Sequence, residues 1–123
     1  MIYTIRFTAL SSNDLSGIFE YIAIDLCDEC AAKKLFQRIM KSIDLLSIAP
    51  LMHKLYDVYP WNKRNMHIYS VNNYSIFYIV NIEKKEVIIA RIVYSKTDLD
   101  EQLKSISGLE WYKERYGICV ALL

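Results

Sequence analysis

Between Met66 and Tyr94 the chain reads MHIYSVNNYSIFYIVNIEKKEVIIARIVY, three apolar runs separated only by Val71-Asn72-Asn73 and Glu83-Lys84-Lys85-Glu86. β-Branched and aromatic residues dominate the runs, and the interruptions carry residues that tolerate turn geometry. Two tight turns joining three strands make an antiparallel meander. In the middle run, Tyr74, Ile76, Tyr78, Val80 and Ile82 fall on one face, and Ser75, Phe77 and Ile79 on the other. A strand that is apolar on both faces belongs inside a sheet covered on both sides. The rest of the chain must supply that cover.

Ile2 to Phe7 alternates Ile2, Thr4 and Arg6 with Tyr3, Ile5 and Phe7, which predicts a further strand at an edge where Arg6 reaches water. Ser11, Ser12 and Asn13 then offer N-cap side chains. Leu15, Ile18, Phe19, Ile22 and Leu26 recur at helical spacing and predict a helix from about Asp14 to Asp25. After a break at Leu26-Cys27-Asp28, a longer helix carries the stripe Ala32, Leu35, Phe36, Ile39, Ile43 and Leu46, with Lys33, Lys34, Arg38 and Lys41 on its wet side. Pro50 ends it. So short a connection makes the two helices an antiparallel hairpin.

From Leu51 to Asn65 no periodicity survives. The stretch reads as a loop beside the sheet, with Tyr56, Tyr59 and Trp61 as packing anchors or, in the alternative, as stacking platforms for bases. Beyond Tyr94, Thr97 offers a cap for a short helix through Leu99, Leu103 and Ile106, ended by Ser107-Gly108. The fold class is therefore α+β: an N-terminal strand, a helix hairpin and a three-stranded antiparallel meander, with helices packed on the sheet and a short C-terminal helical extension. Residues 1–103 make the domain and 104–123 extend it.

The 123 residues suffice for one core. Fifteen basic and fourteen acidic residues leave a formal charge of +1, too little to hold nucleic acid by overall charge, so such a role would need a local patch. The apolar runs fall short of the ~20 residues that cross a bilayer. The expectation is a cytoplasmic protein with no membrane contact. Cys27, Cys30 and Cys119 make an odd count, which argues against a disulfide framework. Cys27 and Cys30 have C-x-x-C spacing, but His53 and His67 stand at no ligand spacing from them, so neither metal nor cofactor is expected.

The order strand, helix hairpin, loop and meander resembles the RelE/ParE superfamily of bacterial toxins from type II toxin–antitoxin modules. The likeness is carried by DLSGIFEYIA at 14–23, by Ile48-Ala49-Pro50 after the second helix, by Pro60-Trp61, by VNNYSIFYIV at 71–80 and by ARIVYSKTDLDEQL at 90–103. It covers about residues 2 to 103. The sequence departs from the family pattern in having His67 with Arg64 upstream where an arginine is common, and Thr97-Asp98 beside Lys96 where arginine precedes the last aspartate.

The resemblance implies a toxin that halts growth once its cognate antitoxin is degraded. By ribosome-dependent mRNA cleavage, a metal-independent endoribonuclease would direct a ribose 2′-OH onto the adjacent phosphate, which takes an acid, a base and positive charge. The candidate catalytic residues are His67, Tyr94 and Lys96, expected near one end of the meander. Arg64, Arg91 and Lys63 are candidates for binding phosphate and RNA. Two alternatives stand beside it: a non-enzymatic inhibitor of DNA gyrase, or a decayed toxin that only binds. The partners implied are the antitoxin together with the ribosome and mRNA, or gyrase. A mean hydropathy above zero adds the expectation of poor solubility without that antitoxin.

Overall fold

The computed structural model describes residues 2–57 and 61–96, with the side chains of all of these except Asn62 and Arg64. Four strands, β1 (Thr4–Phe7), β2 (Met66–Val71), β3 (Tyr74–Asn81) and β4 (Glu86–Tyr94), form one sheet in the order β1-β4-β3-β2. β2, β3 and β4 are the antiparallel meander that the sequence predicts, and β1 is an edge strand. It runs parallel to β4, with Thr4 opposite Glu86 and Phe7 opposite Ile89. Arg6 is half exposed there and pairs with Glu86. Asn72 supplies, at φ 54°, the left-handed conformation that a two-residue hairpin turn requires, and Lys85, also at φ 54°, ends the four-residue turn before β4.

Helix α1 (Ala9–Glu20) starts five residues before the predicted Asp14, because the cap is Thr8 and not one of Ser11, Ser12 or Asn13. The Thr8 hydroxyl accepts the Ser11 N–H at 3.0 Å and lies 3.0 Å from the Ala90 carbonyl, so one side chain both opens the helix and ties it to β4. Ser11 is fully buried inside the helix it was expected to cap. A π-turn (Tyr21–Asp25) continues α1, and α2 (Glu29–Leu46) follows, its first turn closed by Asp28, whose carboxylate accepts the Ala31 N–H at 3.0 Å.

Both helices lie on one face of the sheet. Leu35, Ile39, Ile43 and Leu46 of α2 meet Tyr69, Ile76, Tyr78, Val80 and Ile89, with Leu15, Ile18 and Ile22 of the α1 layer packed alongside. Phe36, predicted in the buried stripe of α2, instead sits on the outer side, edge-on to Phe19 at 6.3 Å. The other face carries Met66, Phe77, Ile79, Ile88, Ala90 and Val93 under Trp61 and Tyr56. β4 serves both faces by alternation, and its phase changes where the register slips at Ala90, with Phe77 opposite Arg91 but Tyr78 opposite Ile89. That bulge lets Ile89 and Ile92, three residues apart, share the helix face, where a regular strand would put them on opposite faces.

The 51–65 loop is more ordered than its sequence suggests. The Tyr56 N–H donates to the Met66 carbonyl at 2.7 Å and the Ile68 N–H to the Lys54 carbonyl at 3.0 Å, so Leu55 bridges the free edge of β2. Tyr56 stands edge-on to Phe77 at 5.1 Å and Trp61 is buried, which makes both packing anchors. Tyr59 and the predicted C-terminal helix lie outside the described residues.

Candidate functional site

A cleft of about 980 Å³ opens where α1, the π-turn and the start of α2 splay from the end of the sheet. Tyr21, Tyr74 and Tyr94 stand around it with Ile22, Leu26 and Ile92, and the polar lining comes from Asn13, Asp14, Asn72, Asn73 and Arg91. Tyr74 and Tyr94 face each other across β3 and β4, with ring centres 5.7 Å apart. Burial is the first cause that raises the Tyr74 hydroxyl above the ordinary tyrosine pKa, with Tyr94 and Tyr21 adding to it. It therefore stays protonated at neutral pH and acts as a hydrogen-bonding group.

The back of the cleft is an ion pair. Arg91 donates Nε–H to Asp14 Oδ2 at 2.6 Å and Nη2–H to Oδ1 at 2.9 Å, and the same carboxylate accepts the Ile92 N–H at 3.0 Å. The two side chains are only 9% and 16% exposed, so the arginine is neutralised in place by a helix that packs over it. An arginine inside the apolar strand EVIIARIVY demands such a counter-charge. That demand was visible in the sequence, but which acid would answer it was not. Arg91 to Tyr94 pair in regular register with Phe77 to Tyr74, so the two side chains leave β4 on opposite faces, and both still border the cleft because it opens at the end of the sheet.

His67 lies elsewhere. It pairs with Tyr78 in the sheet, whereas Tyr94 pairs with Tyr74, four residues along β3, so about 13 Å of strand separates them before the width of two strand spacings is added. The expected grouping of His67 with Tyr94 and Lys96 at one end of the meander is thus corrected. Lys63 and Arg64 occupy the 3₁₀ turn (Trp61–Arg64) ahead of β2, on the His67 side, with Lys63 exposed. Lys96 is exposed just beyond β4 on the Tyr94 side, where Ser95 donates its N–H to the Asn73 carbonyl at 2.8 Å.

The His67 ring is 5% exposed, stacked on Tyr78 at 4.9 Å, and its Nδ1–H donates to the His53 carbonyl at 2.9 Å. His53 stacks on Tyr69 at 4.1 Å. Burial pushes the Tyr69 and Tyr78 hydroxyls up to about 12, against opposing bonds from Ser42 and from the His53 backbone respectively. Neither phenol is an acid at neutral pH. Burial first, and the neighbouring His67 second, hold His53 below its ordinary pKa. The folded chain therefore binds less proton at this site than the unfolded chain, and stability falls as pH drops below 6.5, the unfolded value, toward the folded one. Urea midpoints between pH 7.5 and 5.5 should decline in the wild type and decline less in His53→Gln.

Gly17 of α1 borders the cleft with nothing within 4 Å of where a β-carbon would stand. Gly17→Ala is therefore expected to raise stability by about 0.5–1 kcal/mol through helix propensity. A lower thermal midpoint would show that the position has less room than it displays. Among the described residues no cluster of three His, Cys, Asp or Glu side chains is placed to hold a metal ion, and no helix is long and apolar enough to cross a membrane.

The family model for the ParE toxin of type II toxin–antitoxin systems, parDE, matches residues 5–99. The chain belongs to this family. As a member of it, the protein is a toxin of a type II toxin–antitoxin system. Solved ParE and RelE structures share the fold at low identity. A chain of the chromosomal ParDE system from P. aeruginosa is 19% identical, covering 77% of this chain and 98% of its own, with a TM-score of 0.63. A chain of a RelBE toxin–antitoxin complex from Mycobacterium tuberculosis is 19% identical over 76% of this chain and 99% of its own, with a TM-score of 0.57. One from the intact E. coli RelBE complex is 12% identical over 77% and 99%, also with a TM-score of 0.57. No curated protein matches the sequence. The cleft draws on residues that the sequence does not single out as site residues, chiefly Asp14, Tyr21 and the Asn72-Asn73 turn. Asp14 and Tyr21 fall within the DLSGIFEYIA segment that carries the family likeness, and the two asparagines within a predicted turn.

Proposed function

We propose that this toxin arrests growth by binding DNA gyrase without cutting RNA, and that an antitoxin encoded beside it holds it in check. The observation that carries the reading is the state of His67. Packed flat on Tyr78, with Nδ1–H committed to the His53 carbonyl and Tyr94 far along the sheet, it is poorly placed to exchange protons with a ribose. Arg91 supports the same view, since its charge is already matched by Asp14. Acid–base cleavage needs groups within hydrogen-bond reach of one substrate. A cleft ringed by tyrosines and apolar side chains suits protein binding better.

A second reading, ribosome-dependent mRNA cleavage, draws support from Tyr94, exposed on the cleft, and Lys96, exposed two residues further along the chain. One experiment divides the two. The toxin is induced without its antitoxin, plasmid supercoiling is followed, and transcript ends are mapped on translating ribosomes. Lost supercoiling with intact transcripts is the expected result. Codon-phased cuts that slow by ~10²–10⁴ in Tyr94→Phe would replace gyrase binding with RNA cleavage.

A further inference from the structure

Cys27 and Cys30 have no part in the reading above, yet both are exposed and they bracket the cap of α2. After the π-turn and Leu26, Cys27 adopts φ 52°. Where a helix ends in this left-handed conformation, glycine or asparagine is the usual residue, because a β-carbon there is strained. Two of the other three left-handed residues, Asn65 and Asn72, follow that preference. A cysteine held in such a place, three residues from a second exposed cysteine, is the kind of backbone outlier that accompanies function. Its sulfur lies 3.3 Å from the Ile24 carbonyl, at the turn between the two helices.

We propose that Cys27 and Cys30 are a redox modification site, closed to an intramolecular disulfide by hydroperoxides, and that closure reshapes the rim of the cleft. The thiolate of one cysteine attacks a peroxide oxygen and breaks the O–O bond, giving a sulfenic acid and water. The sulfur of the other then attacks the sulfenic sulfur, forming the S–S bond and expelling hydroxide, which leaves as water with the second thiol proton. Two thiols lose two electrons and hydrogen peroxide is reduced to two waters.

The coupling to the cleft follows from backbone geometry. A disulfide needs Cα atoms roughly 4.4–6.8 Å apart, a spacing that one helical turn provides between residues three apart. Asp28, between the two cysteines, is not helical, with φ −128° and ψ 75°. Closing the ring draws Asp28 toward helical torsions and withdraws its carboxylate from the Ala31 N–H. Leu26, Asp28 and Ala31 all line the cleft, so oxidation alters its mouth directly.

The test uses the full-length chain carrying Cys119→Ser, because Cys119 lies outside the described residues and would confuse the count. Hydrogen peroxide should lower the intact mass by about 2 Da without covalent dimer, and dithiothreitol should restore it. Peptide mapping should place the link between Cys27 and Cys30, and Cys27→Ser or Cys30→Ser in the same background should abolish the loss. The Ala31 amide should exchange about fivefold faster in the oxidised form, the effect of a lost N-cap. Should Cys119→Ser fail to fold, the same peptide is read from oxidised wild-type protein. Sulfinic acid or a linked dimer in place of the ring would overturn the site, and a ring that leaves Ala31 exchange unchanged would overturn its coupling to the cleft.

Discussion

Asp14→Ala should cost the protein about 3–5 kcal/mol, the usual loss when one member of a buried ion pair is removed. Arg91 is 9% exposed on its side chain and its guanidinium has two hydrogen bonds to the Asp14 carboxylate. Removing the acid takes two hydrogen bonds from the buried cation and also frees the Ile92 N–H, which the same carboxylate accepts. Domains are stable by only about 5–15 kcal/mol, so the loss is a large share of the whole. Urea denaturation followed by circular dichroism measures it. The double variant Asp14→Leu with Arg91→Met should recover most of the loss, because replacing both members of a buried pair by apolar groups is often neutral. An Asp14→Ala midpoint within error of the wild type would mean that water reaches Arg91 freely.

Tyr78→Ala is expected to remove about 3–5 kcal/mol, the usual range for truncating a large core aromatic. Tyr78 is fully buried, stacks against His67, stands edge-on to Tyr69 and His53, and donates its hydroxyl to the Pro50 carbonyl at 2.8 Å. Deleting it opens a cavity between α2 and the sheet and releases the loop after α2. Tyr78→Phe separates the two contributions. It keeps the ring and leaves the Pro50 carbonyl unpaired, at a cost of about 1–3 kcal/mol. Equal losses in the two variants would assign the whole effect to the hydroxyl.

The meander was legible because its alternation and its turn residues agree, Asn72 and Lys85 standing where left-handed torsions are needed. The α2 stripe was legible for the same reason, since five of its six predicted residues are buried. What stayed hidden was set by contacts between distant segments. Thr8 outcompeted the Ser11-Ser12-Asn13 cluster as a cap because β4 carbonyls lie above it, which no local pattern records. The site shows the same division. Tyr94 and Arg91, named as candidates from the strand that holds them, both border the cleft. The link from Tyr94 to His67 rested on a guess about which end of the sheet each occupies, and register decided otherwise. Asp14 stands in the sequence only as a helix start, because its role in the site depends on Arg91, 77 residues away.

The parallel pairing of β1 with β4 has a temporal consequence. Thr4 finds Glu86 only after nearly the whole sheet has been synthesised, so the first strand made is among the last to be placed. At ~5–20 residues per second, the first strand waits several seconds for its neighbour, while α1 and α2 can already form behind it. Until then the strap of Thr8 across β4 is absent, and so is the grip of Asp14 on Arg91. The cleft comes into being only once β4 has been made and paired. An antitoxin that recognises the finished cleft can thus meet only a toxin whose β4 is already in place, whereas one that intercepts the chain earlier has to recognise the helix hairpin alone.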